Sequence, residues 1–204
     1  MHIEFLVEES SADAALHNLL PKMLGDLASY SIHAFQGKRD LLAKLPARRR
    51  AYRSWSGEDG RIVVLIDADV EDCRELKALL EAAARNAGFV TRSAAGGSRF
   101  QVLNRLAVEE LEAWFFGDIP ALQAAYPRLG TELARRAHYR TPDAIKGGTW
   151  EALERELQRR GYFPGGLPKV EVARTVSTHM EPERNRSHSF QLFRQGLLEP
   201  VGLP

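Results

Sequence analysis

The stretch at residues 61–72, Arg-Ile-Val-Val-Leu-Ile-Asp-Ala-Asp-Val-Glu-Asp, constrains this chain more than any other. Five consecutive apolar residues, 62–66, run straight into Asp67 and Asp69. A strand with one wet face alternates apolar and polar residues. A strand apolar at every position is covered on both faces, as in the middle of a parallel sheet. Residues two apart in an extended chain point the same way. Both carboxylates are therefore expected to face one point at the C-terminal edge of the sheet, where α/β proteins place their sites. Two readings of the pair stay open. Side-by-side carboxylates repel unless a proton or cation separates them, and a hard cation such as magnesium takes oxygen ligands. Alternatively, aspartates at a strand end cap the helix that follows.

Strand and helix patterns alternate around this segment. Residues 2–8 are a short apolar run ending in acids. Ser10 or Ser11 offers an N-cap to a helix with Ala14, Leu16, Leu19, Leu20, Met23 and Leu24 on its apolar face and Gly25 as its stop. Residues 31–36 alternate and predict a second strand. Residues 38–55 read as a basic helix carrying Lys38, Arg39, Lys44, Arg48, Arg49, Arg50 and Arg53, and 56–60 as a turn. A helix over 71–86, closed by Gly88, and a fourth strand over 99–106 follow. This order predicts an α/β fold with a mostly parallel sheet flanked by helices. After Val108 the pattern turns helical, with pieces at 109–116, 119–125, 129–138, 150–160, 169–180 and 187–198. The expected division is an α/β core over 1–108 and a helical extension over 109–204 packed on it.

Composition excludes several classes. The net charge of +1 over 204 residues is too small for polyanion binding by bulk charge, so any nucleic-acid affinity must come from local patches. One cysteine, Cys73, forms no internal disulfide, fits a reducing compartment, and reads as a small packed residue in a helix. No apolar run approaches the roughly 20 residues of a membrane span. The acidic opening is unlike a signal peptide, so the expected location is the cytoplasm, away from any membrane. There is no phosphate-binding Gly-x4-Gly-Lys-Ser/Thr loop, and the histidines lack zinc spacing.

Three acidic clusters fall near the ends of the expected strands: Glu8 and Glu9 with Asp13; Asp67 and Asp69 with Glu71 and Asp72; and Glu109, Glu110 and Glu112. Singly, each suits a helix N-terminus. Gathered at one sheet edge they would repel strongly without metal, and magnesium-dependent phosphoryl chemistry uses such a pocket. Guanidinium, amide and hydroxyl donors at Arg174, Arg184, Asn185, Arg186 and Ser187 suit a phosphate backbone. Lys169 and Arg174 are candidates for neutralising charge on a transferring phosphate. The other reading of this tail is a polar cap on the last helix. Trp114, Phe115 and Phe116 read as core.

The order of the acids resembles the TOPRIM fold shared by topoisomerases, primases and the OLD (overcoming lysogenization defect) nucleases. Glu9-Ser10-Ser11-Ala12-Asp13 has the spacing of the Glu-Gly-x-x-Glu motif of OLD-type members, with Ser for Gly and Asp for the second Glu. Glu8 is an alternative first acid. Asp67-Ala68-Asp69 matches Asp-x-Asp. Glu112-Ala113-Trp114 resembles the Glu-x-Trp of TOPRIM-like proteins encoded beside ATPases in bacterial defence loci. The chain as a whole resembles a bacterial family of about its length, through Phe5-Leu6-Val7-Glu8-Glu9 and the late Asn185-Arg186-Ser187-His188-Ser189-Phe190. The resemblance implies a TOPRIM-like, metal-dependent nuclease in phage defence. Its Mg2+ or Mn2+ would be held by Glu8 or Glu9, Asp67, Asp69 and Glu112, with Glu9, Asp67, Asp69 and Lys169 in catalysis. Lys169, Arg174, Arg184, Asn185, Arg186 and Ser187 would hold nucleic acid, DNA first. The implied partner is an ATPase of AAA or ABC type, with a homodimer open. The serine in place of glycine departs from the nuclease motif. It keeps a second reading alive, a non-catalytic subunit binding nucleic acid or the ATPase.

Overall fold

The computed structural model describes residues 1–55 and 60–199. The turn expected over 56–59 lies outside the described residues, as do the side chains at 49–51 and 53–55, including Arg49, Arg50 and Arg53. Strands β1 (His2–Val7), β2 (Ser29–Ala34), β3 (Gly60–Asp67) and β4 (Val102–Ala107) form a parallel sheet in the order β2-β1-β3-β4. β3 is internal, as its unbroken apolar run predicts, and residues 61–66 are all buried. Its side chains alternate between two cores. Val63 and Leu65 join α1 (Ser10–Leu24) on one face; Ile62, Val64 and Ile66 join α2 (Lys38–Trp55) and α3 (Cys73–Asn86) on the other. Each buried Val, Leu or Ile side chain favours the fold by roughly 1.5–3 kcal/mol over an exposed one.

The chain leaves β1 for β2 on one side and returns past β1 to β3 on the other. The C-terminal ends of β1 and β3 therefore flank the point where the winding reverses, and ligands bind in the crevice at such a point. Glu8 and Asp67 are placed by this reversal.

Some boundaries differ from the sequence pattern. β2 starts two residues earlier than expected because it pairs residue for residue with β1 from His2↔Ser29. Phe35 then turns into the α2–α3 core. β4 starts later because residues up to Ser98 are spent in turns. Neither serine caps α1: its N-cap position is Glu9, and no side chain caps it. Residues 129–138 form two 3-10 turns, Thr131–Arg135 and Ala137–Tyr139, instead of an α-helix. Short 3-10 turns of this kind are common connectors.

The extension contributes α4 (Glu112–Gly117), α5 (Ile119–Ala125), α6 (Thr149–Arg159), α7 (Lys169–His179) and α8 (His188–Leu198). It shares a core with the sheet. The Phe193 ring of α8 lies 6.4 Å from Phe5 of β1, and Trp114 lies 5.0 and 5.1 Å from Phe190 and Phe193. α7 is fastened along α1: Asn18 donates to Ser177 Oγ at 2.9 Å, and Lys22 Nζ to the carbonyls of Thr178 and Met180 at 2.8 and 2.7 Å. Among the described residues no helix is long and apolar enough to cross a membrane.

Candidate active site at the C-terminal edge of the sheet

Glu8 leaves β1 into the crevice and is 8% exposed. Its Oε2 accepts the backbone N–H of Asp67 at 3.1 Å and its Oε1 that of Lys38 at 2.9 Å. One carboxylate thus joins the ends of β1 and β3 to the start of α2. Burial raises its pKa, opposed by those two N–H groups and by the Lys38 charge. Asp67, the last residue of β3, is the centre of the site. Burial pushes its pKa well above the usual carboxylate range, and the charges of Glu112, Glu8 and Asp69 push it further; an N–H bond from Leu111 opposes them.

Asp69 departs from the expectation that it points with Asp67. Its φ of 51° takes the chain out of the extended conformation, and the backbone N–H of Asp69 donates to the carbonyl of Glu109, whose φ is 61°. Two non-glycine residues in the left-handed region at one sheet edge are costly, and such strain gathers at functional sites. Turned this way, Asp69 pairs with Lys38 Nζ at 2.7 Å, and Lys38 also reaches Glu71 at 2.9 Å. Burial alone would lower the Lys38 ammonium pKa; bonds to Asp69 and Glu71 outweigh it and raise it. The capping alternative for Asp67 and Asp69 goes to another residue. Asp72 caps α3, accepting the N–H groups of Arg74 and Glu75 at 2.7 and 3.1 Å.

The third acidic cluster meets the same point from the extension. Glu112 opens α4, is 2% exposed, and has its pKa raised to about 7, chiefly by burial, with Lys169 opposing and Glu110 and Glu9 adding. Lys169 opens α7. Burial would lower its ammonium pKa, but the facing charges of Glu112, Glu9, Glu110 and Asp67 raise it. Its Nζ also stands 4.7 Å from the centre of the Trp150 ring. Glu110 caps α6, accepting from Trp150 N at 2.7 Å and Thr149 Oγ1 at 3.0 Å. Glu9 faces Lys169 and Glu112, whereas Glu8 faces Asp67 and Lys38, so the two adjacent acids serve different neighbours. Asp13 turns away and pairs with His17 at 3.3 Å.

Three of the tail donors, Arg184, Asn185 and Ser187, are bonded inside the fold. Arg184 forms a two-bond ion pair with Asp118 at 2.7 and 2.9 Å. Asn185, buried, donates to Trp114 O at 2.8 Å and accepts from Ser187 N at 2.9 Å. Ser187, also buried, caps α8 and donates to Asp143 at 2.8 Å. Gly117 is glycine because a Cβ there would lie 2.1 Å from Asn185 Oδ1. Arg174 is exposed on α7, and Arg186 is exposed beyond Gly117. Of the tail set, Lys169 alone faces the acids. Sequence reasoning missed Lys38 and the capping Glu110. A signal for Lys38 was present: like Lys169, it is the first residue of its helix, where the dipole opposes a cation.

The donors gathered here are carboxylate oxygens, hard ligands suited to Mg2+ or Mn2+. Among the described residues no three His, Cys, Asp or Glu side chains close on one point as a ready cage. Magnesium asks less than a cage, using one or two carboxylates together with substrate phosphate and water. Asp67 and Glu112, whose pKa values are raised chiefly by burial, offer carboxylate oxygens of the kind such a cation takes.

No curated protein and no solved structure matches the chain. A family model described as "Domain of unknown function (DUF4276)" matches residues 7–198, from the last residue of β1 to the last of α8. Since that match includes Glu8, Asp67, Glu112, Lys169 and nearly every element that positions them, the chain belongs to the DUF4276 family.

Proposed function

We propose that this chain is a magnesium- or manganese-dependent enzyme acting on phosphodiester bonds of nucleic acid, DNA first, in the cytoplasm. The observation that carries the reading is the placement of Asp67. It stands at the winding reversal, with its pKa raised by burial and then by the charges of Glu112 and Glu8, and Lys169 faces the same acids. Acids alone would repel a phosphodiester; a lysine held against them and a hard cation between them reverse the local sign. Asp67, with Glu8 or Glu112, would hold the cation, and Glu9 and Asp69 add negative charge around it. When bound, the cation polarises the phosphate and lowers the pKa of an attacking water. Lys169 neutralises charge on the phosphate. Glu112, with its pKa raised to about 7, is tuned to exchange a proton near neutral pH, the condition for general acid–base work.

An ATPase partner and a place in phage defence rest on the resemblance of Glu112-Ala113-Trp114 alone. The non-catalytic reading draws support from Lys38, which already neutralises Asp69. One experiment separates the two. Labelled single- and double-stranded DNA is incubated with the full chain and Mn2+ or Mg2+, beside the Asp67→Asn and Lys169→Met variants. Cleavage by the wild type that falls at least a hundredfold in Asp67→Asn supports the enzyme. Intact DNA at high enzyme concentration, with DNA still bound, supports the regulatory subunit.

A further inference from the structure

A cavity of about 240 Å3 lies at the far end of α4 from Glu112, beside Gly117. Its walls are apolar: Phe116, Ile119, Pro120, Pro142 and Tyr139. Phe116 and Tyr139 stack with ring centroids 4.6 Å apart and an interplanar angle of 18°, and Tyr139 is anchored through its hydroxyl to Glu156 at 2.9 Å. Three arginines lie around it: Arg140, Arg184 and Arg186. The charge of Arg184 is neutralised by Asp118. Arg140 and Arg186 are exposed, and neither side chain has a hydrogen bond or ion pair among the described residues. An apolar hollow with two uncommitted guanidinium groups matches a ligand that is apolar and flat at one end and anionic at the other. A bare anion would leave the apolar walls unused, and a neutral ring would leave the arginines without a counter-charge. Guanidinium favours phosphate through paired N–H bonds. The volume lies below the roughly 300–1,000 Å3 of pockets for drug-sized ligands, so the hollow encloses one ring system and leaves the rest of a ligand at its rim.

We infer that this cavity is a second ligand site, distinct from the acidic edge, which binds a planar ring carrying a phosphate, of the nucleoside monophosphate class. The ring enters between the apolar walls and the phosphate stays at the rim between Arg140 and Arg186. The inference needs no metal and does not depend on the reaction proposed for Asp67. The two sites lie at opposite ends of buried α4, about 8 Å apart along the helix at 1.5 Å per residue.

The test is calorimetric titration of the full chain with adenosine monophosphate, adenosine and inorganic phosphate, at low salt with a chelator present. The monophosphate is expected to bind at least tenfold more tightly than either fragment. The double variant Arg140→Ala/Arg186→Ala, with its fold checked by circular dichroism, should weaken it more than tenfold; Asp67→Asn should leave it unchanged. The inference is overturned if the monophosphate binds no better than its fragments or not at all, if the double variant binds like the wild type, or if Asp67→Asn abolishes binding. That last result would assign the ligand to the acidic edge.

Discussion

The side chain of Glu8 accepts the backbone N–H of Asp67 at 3.1 Å, tying the end of the first strand to the end of the third. Its second oxygen holds the N–H of Lys38 at 2.9 Å, so the segment entering α2 depends on the same carboxylate. Leaving a buried donor without a partner costs about 1–3 kcal/mol. Glu8→Ala strands two donors and is expected to destabilise the protein by roughly 2–4 kcal/mol in urea unfolding. Glu8→Gln keeps one acceptor and should lose less. An alanine variant within about 0.5 kcal/mol of wild type, the range of ordinary surface changes, would show that this clamp does not hold the crevice together.

Glu112 makes stability depend on pH. Its pKa of about 7 in the fold lies above the roughly 4.3 of an unperturbed glutamate. Between those values the folded protein keeps a proton that the unfolded chain has released. Stability therefore decreases as pH rises from about 4 to about 7 and then levels, over a span on the order of 3 kcal/mol. Asp67, also raised, acts in the same direction. Melting temperatures in chelating buffer should fall across this window in the wild type and less steeply in Glu112→Gln, where the Asp67 contribution remains, and the variant should be the more stable protein at pH 8. Parallel curves for the two would contradict the environment described for Glu112.

Arg184 is a structural residue. Its partner Asp118 has no exposed side-chain surface, and also accepts the N–H groups of Glu181 at 2.8 Å and Ala121 at 3.4 Å. Removing one member of a buried ion pair costs about 3–5 kcal/mol, but the arginine's side chain is 45% exposed and water can reach the pair. Arg184→Ala is therefore expected to cost roughly 2 kcal/mol, discounted for solvent screening. Arg184→Lys should recover only part of it, because an ammonium cannot make the paired contact. An alanine variant as stable as wild type with weakened DNA binding would restore the phosphate role that the tail pattern suggests.

What the sequence discloses is set by how local the cause is. The β3 run is readable because burial on both faces leaves a mark on five adjacent residues. The acids are readable as clusters, since each sits at the end of its own strand. Their assignment is not. Whether Glu8 or Glu9 faces Asp67 depends on the rotation of one residue at a strand end, and the turn of Asp69 toward Lys38 goes with a positive φ and a backbone bond to Glu109, 40 residues on. The strand order, which brings Glu8 and Asp67 together, is a non-local choice with no signature in either segment. The tail is ambiguous for a related reason. Arginine, asparagine and serine serve a phosphate and a buried helix end with the same hydrogen bonds. Only the position of Asp118, Trp114 and Asp143 decides between them.

Lys169 offers a gentler probe of the same pocket. It stands against the acids and on the Trp150 ring, so Lys169→Met should preserve the fold while weakening DNA binding and lowering its salt dependence by about one charge. The loss should be similar for unrelated DNA sequences, because phosphate contacts do not read bases. A loss confined to one sequence would place Lys169 against a base edge.

The central claim is that the carboxylates around Asp67 hold a divalent cation. Calorimetric titration of the metal-free chain with Mn2+ at pH 7.5 tests it without any assumption about substrate. The account predicts saturable binding that Asp67→Asn weakens at least tenfold while its circular dichroism stays that of the wild type, with a smaller loss in Glu112→Gln. Mn2+ bound equally by wild type and Asp67→Asn, or by neither, would contradict it.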